Sequence, residues 1–334
     1  MRRYLVTGGL GFLGAPLVCA LVRAGHRVRV LDNGSRGRRE RLGDVKDDVE
    51  LMMGDIRHVD VVDRALADIE AVCHLAFVNG TRHFYEQPGA VLEVGVKGMM
   101  HVLDGCRRHG VSQLYLASSS EVYQSPPRVP TDETVPLVVP DPHNPRYSYG
   151  GAKIISELLA LHWAPKFLER IVIFRPHNVY GPDMGSEHVI PQLTRRMIQH
   201  QQGAQTAQPL EMPIQGSGEQ SRAFIYIEDF INGLLRVIER GDHLAIYHIG
   251  TREEIRIREL AERIAQCLGL RVHVVPGREA VGGTERRCPD IRKLQALGFS
   301  PMVTLSEGLK RTVAWYATHP QPDDLETAAV TRGS

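Results

Sequence analysis

The sequence predicts an α/β protein built on a Rossmann-type, doubly wound parallel sheet with a smaller C-terminal substrate-binding domain. Two observations lead to this prediction. Short, wholly apolar runs alternate with helix-length segments through the first half of the chain, which is typical of parallel strands covered by helices on both faces. A glycine-rich segment, GGLGFLG, also lies directly between the first such run and the first helical segment.

Six buried strands are predicted in the first half of the chain. They span residues 4–7, 28–31, 49–53, 71–76, 113–118 and 170–175. Helical periodicity predicts the intervening helices at about 12–24, 57–67, 88–109 and 149–168. Pro88 suits the first turn of its helix, where a missing backbone N–H costs nothing.

After Arg175 the chain contains more glycine and proline, and its elements become shorter. Helices are predicted at 189–200, 256–268 and 304–318, a strand end leading into a helix at 225–241, and a strand at 245–250. The glutamine-rich residues 199–213 are expected to form an exposed connection, and the tail from Pro320 to be frayed. We therefore expect a cofactor-binding domain over 1–175, with a return segment near 225–250, and a substrate-binding domain over 176–334.

Composition limits the classes of partner. The chain has 334 residues, 43% of them hydrophobic, and 40 basic against 39 acidic side chains. This near-neutral balance favours small-molecule ligands over nucleic acid or a membrane surface. Five widely spaced cysteines predict reduced core thiols in a cytoplasmic protein, with no metal site, and no export or membrane segment is expected. The basic cluster at 35–43 is expected to be a surface loop, with a phosphate-binding patch as the alternative.

Gly8, Gly11 and Gly14 follow the first predicted strand and precede the first helix. Glycine at this junction permits a tight turn and a close approach of backbone amides to a pyrophosphate, and the helix N-terminus favours negative charge. A purely structural turn is the alternative. Because the motif lies between a strand and a helix, it favours a dinucleotide site.

Asp32 ends the second strand, where a carboxylate can accept the ribose hydroxyls of adenosine and would repel the extra phosphate of NADP. NAD is therefore the predicted cofactor, although Arg36, Arg38 or Arg39 would suit a 2′-phosphate. Asp55 follows the third strand and is placed to cap an adenine, with an ordinary turn aspartate as the alternative.

Tyr149 and Lys153 are four residues apart on a predicted helix and therefore share a face. A lysine ammonium lowers the pKa of a neighbouring phenol from its reference of about 10, which makes the phenolate a usable base. A hydroxyl such as Ser119, at the end of the fifth strand, can hold the substrate oxygen while its proton leaves. Together these groups predict alcohol oxidation with a nicotinamide cofactor, whereas a YxxxK spacing alone would fit an ordinary helix face.

These residues belong to a longer series of motifs: TGGLGFLG, VLDNGS, GDIR, CHLA, SSSEVY, YSYGGAK, FRPHNVYGP, GSGEQSRAFIYIED and RRCPDIRKLQALGFSP. The series resembles the extended short-chain dehydrogenase/reductase family, the nucleotide-sugar epimerases and dehydratases, over nearly the whole chain. The resemblance implies NAD as cofactor, a nucleoside-diphosphate sugar as substrate, and a homodimer.

The resemblance also implies roles for individual residues. Those implied for the NAD site are Gly8, Gly11, Phe12, Leu13, Gly14, Asp32, Asn33, Asp55, Ile56, Leu75, Ala76, Tyr149 and Lys153. Those implied for the substrate are Ser119, Ser120, Glu121, His177, Asn178, Arg222 and Arg287. Ser119, Tyr149 and Lys153 would be catalytic, and Asn178, Arg222 and Arg287 would hold the diphosphate. His177 would touch the diphosphate or the sugar, with a packed histidine as the alternative.

Three residues depart from the family pattern. Gly95 replaces a usual asparagine, Ala223 replaces a usual aspartate, and Gln124 replaces a usual glycine. These departures affect the identity of the substrate more than the redox chemistry.

Glu121 is expected to act as an acid or base at C3 or C5 of a transient 4-keto sugar, because the ketone acidifies the neighbouring C–H bonds. The alternative is that Glu121 binds a sugar hydroxyl or a backbone amide without moving a proton. Ser120 and Glu121 resemble the pair in GDP-mannose 4,6-dehydratases, and the RAF and RRxPDI patterns resemble UDP-glucuronate decarboxylases.

The general motif pattern, including FRPHNVYGP, places an NAD-dependent nucleotide-sugar epimerase first. A 4,6-dehydratase and then a UDP-glucuronate decarboxylase follow. A non-catalytic, NAD-sensing protein on the same fold is the alternative from a different class. The presence of Ser119, Tyr149 and Lys153 together argues against a sensor.

Overall fold

A computed structural model gives the fold and describes residues 1–203, 209–278 and 283–319. Seven of the described strands form the central sheet: β1 Arg3–Thr7, β2 Arg27–Asp32, β3 Val49–Met53, β4 Ala71–His74, β5 Gln113–Ala117, β6 Arg170–Pro176 and β11 Ala245–Ile249. They are all parallel, in the order β11-β6-β5-β4-β1-β2-β3. The predicted Rossmann-type sheet is confirmed, and its edge strand β11 comes from the predicted return segment.

Helices cover both faces of the sheet, because successive residues of each strand point to opposite sides. The helices of the first half are α1 Gly14–Arg23, α2 Val59–Leu66, α3 Thr81–Glu86, α4 Pro88–Leu92, α5 Met99–His109 and α6 Ser148–Leu158. Leu5 and Leu114 pack into a core with α2 and α5, whereas Val6 and Val172 pack into the opposite core with α1. This alternation explains why the strand sequences are apolar throughout.

The second half of the chain supplies the remaining described elements. The helices are α7 Val189–Gly203, α8 Ile227–Arg240, α9 Ile257–Cys267, α10 Arg292–Gln295 and α11 Leu305–Thr318. The strands are β7 Val179–Tyr180, β8 Leu210–Pro213, β9 Ser221–Ala223, β10 Ile225–Tyr226, β12 Glu254–Arg256, β13 Val272–Val275 and β14 Arg286–Arg287. Helices α7, α9 and α11 pack against one another, and β9 lies between β12 and β14 in a small sheet.

Several sequence predictions need correction. The glutamine-rich stretch is not a plain connection, because residues 199–203 continue α7 and residues 210–213 form β8; residues 204–208 lie outside the described part. The helix expected over 88–109 contains a π-helical turn at Glu93–Gly98 between α4 and α5. Cys267 is exposed, whereas the other four cysteines are buried as expected, and all five are free thiols. The tail from Pro320 lies outside the described residues.

Within the described ranges, no helix has both the length and the apolar character needed to cross a membrane. The same ranges contain no group of three or more His, Cys, Asp and Glu side chains that could hold a metal ion. The cytoplasmic location stays a prediction.

Candidate active site

A cleft opens at the carboxyl ends of the central strands, where β1 lies between β4 and β2 and the strand order reverses. Ligands of open parallel sheets bind at such switch points. The sequence-predicted residues that line it are Gly8, Gly11, Phe12, Leu13, Gly14, Asp32, Asn33, Asp55, Ile56, Leu75, Ala76, Ser119, Ser120, Glu121, Tyr149, Lys153, Asn178 and Arg287. His177 and Arg222 are the two predicted site residues outside this lining.

The glycine loop forms a cradle that leaves no room for side chains. A Cβ on Gly14 would lie 2.0 Å from the Gly8 carbonyl oxygen, and one on Gly8 would lie 2.9 Å from the Ala76 backbone. Gly8 also has φ +71°, a left-handed conformation that glycine adopts readily. Since α1 begins at Gly14, its N-terminus faces this cradle, which fits the pyrophosphate of a dinucleotide.

Asp32 is fixed at the end of β2 with its carboxylate on the cleft. One carboxylate oxygen accepts from the Leu10 backbone N–H at 3.0 Å and the other from the Gly34 N–H at 2.9 Å. Arg38 pairs with Asp183, and Arg39 pairs with Asp47 at 3.2 Å. Arg36, the third arginine considered for a 2′-phosphate, lines the cleft and donates to the Asn79 carbonyl, so the fit to NAD rests on the carboxylate of Asp32.

Asp55 lies beside Asp32 at the same edge of the sheet. It accepts hydrogen bonds from Asn33 Nδ2 at 2.9 Å and from the guanidinium of Arg57 at 2.9 Å. The hydrogen bond from Arg57 holds the pKa of the Asp55 carboxyl well below its usual range. Asp55 is therefore an ionised acceptor near the expected adenosine position.

Ser119, Tyr149 and Lys153 come together where β5 meets α6. Lys153 Nζ donates to the Ala117 carbonyl at 2.6 Å, and the Ser119 hydroxyl lies close enough to Tyr149 to lower the pKa of the phenol. Ser119 caps a 3₁₀ turn, Ser120–Tyr123, and its Oγ accepts from the Glu121 N–H at 3.1 Å. Both Tyr149 and Lys153 are buried, so their protons are shielded from bulk water.

Burial controls the pKa values of this pair in the protein. It raises the pKa of Tyr149 to about 12, although the Ser119 hydroxyl opposes the rise. It lowers the pKa of Lys153 to about 7, against the opposing charge of Glu157. Burial thus acts on the Tyr149 pKa in the direction opposite to the lowering expected from Lys153, and that lowering stays a prediction.

Glu121 forms an ion pair with Arg287 that sequence spacing could not reveal. Arg287 donates to Glu121 Oε1 at 2.6 Å, with the side chains 9% and 25% exposed, respectively. Burial by itself would raise the pKa of Glu121, but the charge and hydrogen bond of Arg287 and the charges of Arg146 and Arg222 lower it overall. Glu121 lies in the 3₁₀ turn that follows Ser119, beyond the end of β5.

Arg146 acts on Glu121 through its charge, and the sequence predictions did not include it. Its Nε is buried without a hydrogen-bond partner among the described residues. The sequence feature that could have pointed to Arg146 is its position three residues before Tyr149, just before α6 begins. The charges of Arg146, Arg222 and Arg287 all act on the Glu121 carboxylate, and of these three Arg287 is the one that lines the cleft.

The predicted diphosphate ligands differ in position. Asn178 lines the cleft and donates through Nδ2 to the Ala223 carbonyl at 2.8 Å. Arg222 donates to the carbonyls of Thr284 at 2.5 Å and Ser221 at 2.7 Å, so backbone contacts hold its guanidinium beside the cleft. Its contact with a diphosphate stays a prediction.

His177 does not line the cleft, which contradicts the expectation that it touches the substrate. It is 1% exposed, and its ring packs against His248 at a centroid distance of 4.6 Å. Burial and the nearby charges keep its pKa well below the usual histidine value. The packed histidine, the alternative considered from the sequence, matches the structure.

Comparisons with known proteins agree with this geometry. Residues 4–250 match the model of the NAD dependent epimerase/dehydratase family. The chain is 30% identical over 322 residues to UDP-glucuronic acid decarboxylase 1 of Xenopus tropicalis, covering 94% of this chain and 72% of that protein. It is 31% identical over 327 residues to dTDP-glucose 4,6-dehydratase of Streptomyces niveus, covering 94% and 92%.

A solved structure has a similar fold. The UDP-glucose 4-epimerase of Thermus thermophilus, crystallised in complex with NAD, superposes with a TM-score of 0.81 at 28% identity, covering 94% of this chain and 98% of that one. The glycine cradle and Asp32 fit the same cofactor. The chain therefore belongs to the NAD-dependent epimerase/dehydratase family of enzymes, and NAD is its cofactor.

Proposed function

We propose that the chain decarboxylates a nucleoside-diphosphate hexuronic acid of the UDP-glucuronate type through a 4-keto intermediate. The observation that carries this proposal is the Glu121–Arg287 ion pair, with Arg146 nearby, beside Ser119 and Tyr149. Dehydration and epimerisation at C3 or C5 require a base that removes a carbon-bound proton. A carboxylate paired to arginine, with its pKa lowered, is a weak base for that purpose.

A uronic acid changes what the site must do. Once O4 is a ketone, the C6 carboxylate is that of a β-keto acid, so the C5–C6 bond can break without proton abstraction from carbon. The residues must instead hold the substrate carboxylate, stabilise the electrons that move onto O4, and allow C5 to be protonated. The guanidinium of Arg287 lines the cleft and can bind a carboxylate of the sugar.

Each residue then has a defined role. The glycine cradle and Asp32 would hold NAD⁺, which would supply a reversible hydride acceptor for C4. Tyr149 takes the O4 proton as its phenolate and gives it back, and Ser119 holds O4 during this transfer. The positive charge of bound NAD⁺ would favour the phenolate, which burial alone disfavours. Arg287 binds the substrate carboxylate, and Glu121 orients Arg287. The net reaction consumes one proton and releases carbon dioxide, leaving a nucleotide pentose.

An epimerase, first in the ranking from sequence, is the second candidate. The likeness to the Thermus thermophilus UDP-glucose 4-epimerase favours it. Inversion at C4 needs Ser119, Tyr149 and Lys153 but no role for the Glu121–Arg287 pair. The pair therefore makes decarboxylation the better-supported proposal, with the dehydratase third because it depends on a free base at C5.

A substrate panel tests the proposal. The protein is incubated with NAD⁺ and UDP-glucuronate, UDP-glucose, UDP-N-acetylglucosamine, dTDP-glucose or GDP-mannose in D₂O, and the products are weighed and analysed by NMR. We expect only the uronate to react, with loss of CO₂ and one deuterium gained at C5. Loss of water would identify a dehydratase, and an unchanged mass with an inverted C4 and no deuterium would identify a 4-epimerase. Failure with every sugar would favour the sensor.

We also propose that the enzyme is a homodimer formed through α4, α5 and α6. Leu92, Met100, Ile155 and Leu158 lie on these helices and are each between 40% and 50% exposed. Leu158→Glu should shift the protein from dimer to monomer in light scattering, because a second copy would have to bury the new charge. Met302→Glu, at an exposed methionine outside these helices, is the matched control. A monomeric wild type, or a Leu158→Glu dimer, would contradict the assignment.

A further inference from the structure

Gly95 and Phe77 fit together beside the catalytic lysine. Gly95 lies in the π-helical turn between α4 and α5, a local widening that often accompanies functional sites. A Cβ on Gly95 would lie 2.6 Å from Phe77 Cζ and 2.8 Å from Ala152 Cβ. The ring of Phe77 thus fills the space into which a side chain at position 95, usually asparagine in the family pattern, would project.

The same ring contacts both of the residues expected to move protons. Lys153 Nζ lies 3.9 Å from the centroid of the Phe77 ring, while it donates to the Ala117 carbonyl on another side. The Phe77 ring meets that of Tyr149 edge to face, at a centroid distance of 5.0 Å and an interplanar angle of 82°. An ammonium group over an aromatic face is stabilised by the ring quadrupole, most strongly where water is excluded.

We propose that Phe77 is a positioning residue that holds the Lys153 ammonium against Ala117 through its aromatic face, and that Gly95 is required because this ring occupies its side-chain space. The proposal rests on the proposed function in one respect, that Lys153 and Tyr149 are catalytic.

Other groups also interact with the charge of Lys153, and their effects must be distinguished from that of Phe77. Glu157 lies one helical turn further along α6 and favours the ammonium, Tyr149 lies one turn before it, and the charge of Lys153 acts on buried His74 of β4. Substitution of Phe77 alters none of these side chains. Burial itself lowers the pKa of Lys153, so the partial loss of burial on removing the ring would raise that pKa. A fall in the lysine pKa therefore reports the lost aromatic contact.

Lysine NMR provides a test that needs no sugar substrate, because the chain has only six lysines. The NAD⁺-bound protein is labelled with ¹³Cε-lysine, the Lys153 signal is assigned by its loss in Lys153→Arg, and its pKa is measured by titration. We expect the wild-type signal to carry an upfield ring-current shift. Phe77→Leu should remove that shift and lower the lysine pKa by about 1 unit, since a cation–π contact in a dry site contributes about that much.

Two further variants keep the test decisive. Phe84→Leu removes a ring that stacks on Tyr149 at 4.8 Å, and should leave the ring-current shift of Lys153 in place. Gly95→Ala should push the Phe77 ring away and reproduce the effect of Phe77→Leu in direction. If neither Phe77→Leu nor Gly95→Ala changes the Lys153 shift or pKa, the proposal is wrong. If they change both but no uronate is decarboxylated, the positioning role stands and the proposed function fails.

Discussion

Replacing Tyr149 by phenylalanine should reduce turnover of the nucleotide sugar by about a thousandfold, while NAD⁺ binding is retained. Removing the hydroxyl leaves the buried ring and its packing against Phe84 in place but deletes the group that takes the O4 proton. Loss of a positioned acid–base group typically costs about 10²–10⁴ in rate. Turnover is measured by chromatography of the nucleotide sugar, and NAD⁺ affinity by calorimetry.

Tyr147→Phe is the matched control. Tyr147 is also buried and lies two residues earlier, but it is not among the residues that line the cleft. It should retain turnover close to wild type. If Tyr149→Phe keeps more than about a tenth of the wild-type rate, the acid–base assignment is wrong.

Of the substitutions proposed, loss of one partner from the buried Glu157–Arg175 ion pair should lower the stability of the protein most. Both side chains are 2% exposed, and Arg175 Nε donates to Glu157 Oε1 at 2.8 Å. Arg175 also donates to the Tyr123 hydroxyl, and Ser118 donates to Glu157, so the pair anchors the segment that carries Ser119 and Glu121. Arg175→Met should lower the free energy of unfolding by about 3–5 kcal/mol, because it leaves a buried carboxylate without its cation.

The double variant Glu157→Leu/Arg175→Met separates pairing from packing. Removing both charges avoids an uncompensated buried ion, so we expect it to lose much less stability than Arg175→Met alone. Urea denaturation of the wild type, both single variants and the double variant gives the coupling energy. Equal destabilisation by the single and double variants would show that the cost comes from packing and not from the unpaired charge.

The residues of the cofactor site and the Tyr149–Lys153 pair were predictable because the sequence patterns that identify them are local. Gly8, Gly11 and Asp32 lie at strand ends, and an apolar run followed by a turn is enough to place them at the carboxyl edge of a parallel sheet. Tyr149 and Lys153 share a helix face through their four-residue spacing. In each case the residues that act together are close in sequence or lie at equivalent strand ends.

The substrate half depends on contacts that no short pattern contains. Arg287 reaches Glu121 from a strand 166 residues away, and this pairing turns an expected free base into a partner of a guanidinium. The structure also buries His177 against His248, although its neighbours in the FRPHNVYGP motif suggested a ligand. Gly95 departs from the family pattern, and only the fold brings the Phe77 ring into the space that a side chain there would need. Burial likewise raises the pKa of Tyr149, whereas the sequence predicted a lowered pKa. Burial depends on the whole fold and cannot be read from a local motif.

The most direct test of the central claim follows the carboxyl carbon of the substrate. The enzyme is incubated with NAD⁺ and UDP-glucuronate labelled with ¹³C at C6, and both the released gas and the nucleotide sugar are analysed. We expect one equivalent of ¹³CO₂ for each nucleotide pentose formed, and neither product with Tyr149→Phe. Retention of the ¹³C label in a product with an inverted C4 would contradict decarboxylation and identify the enzyme as an epimerase.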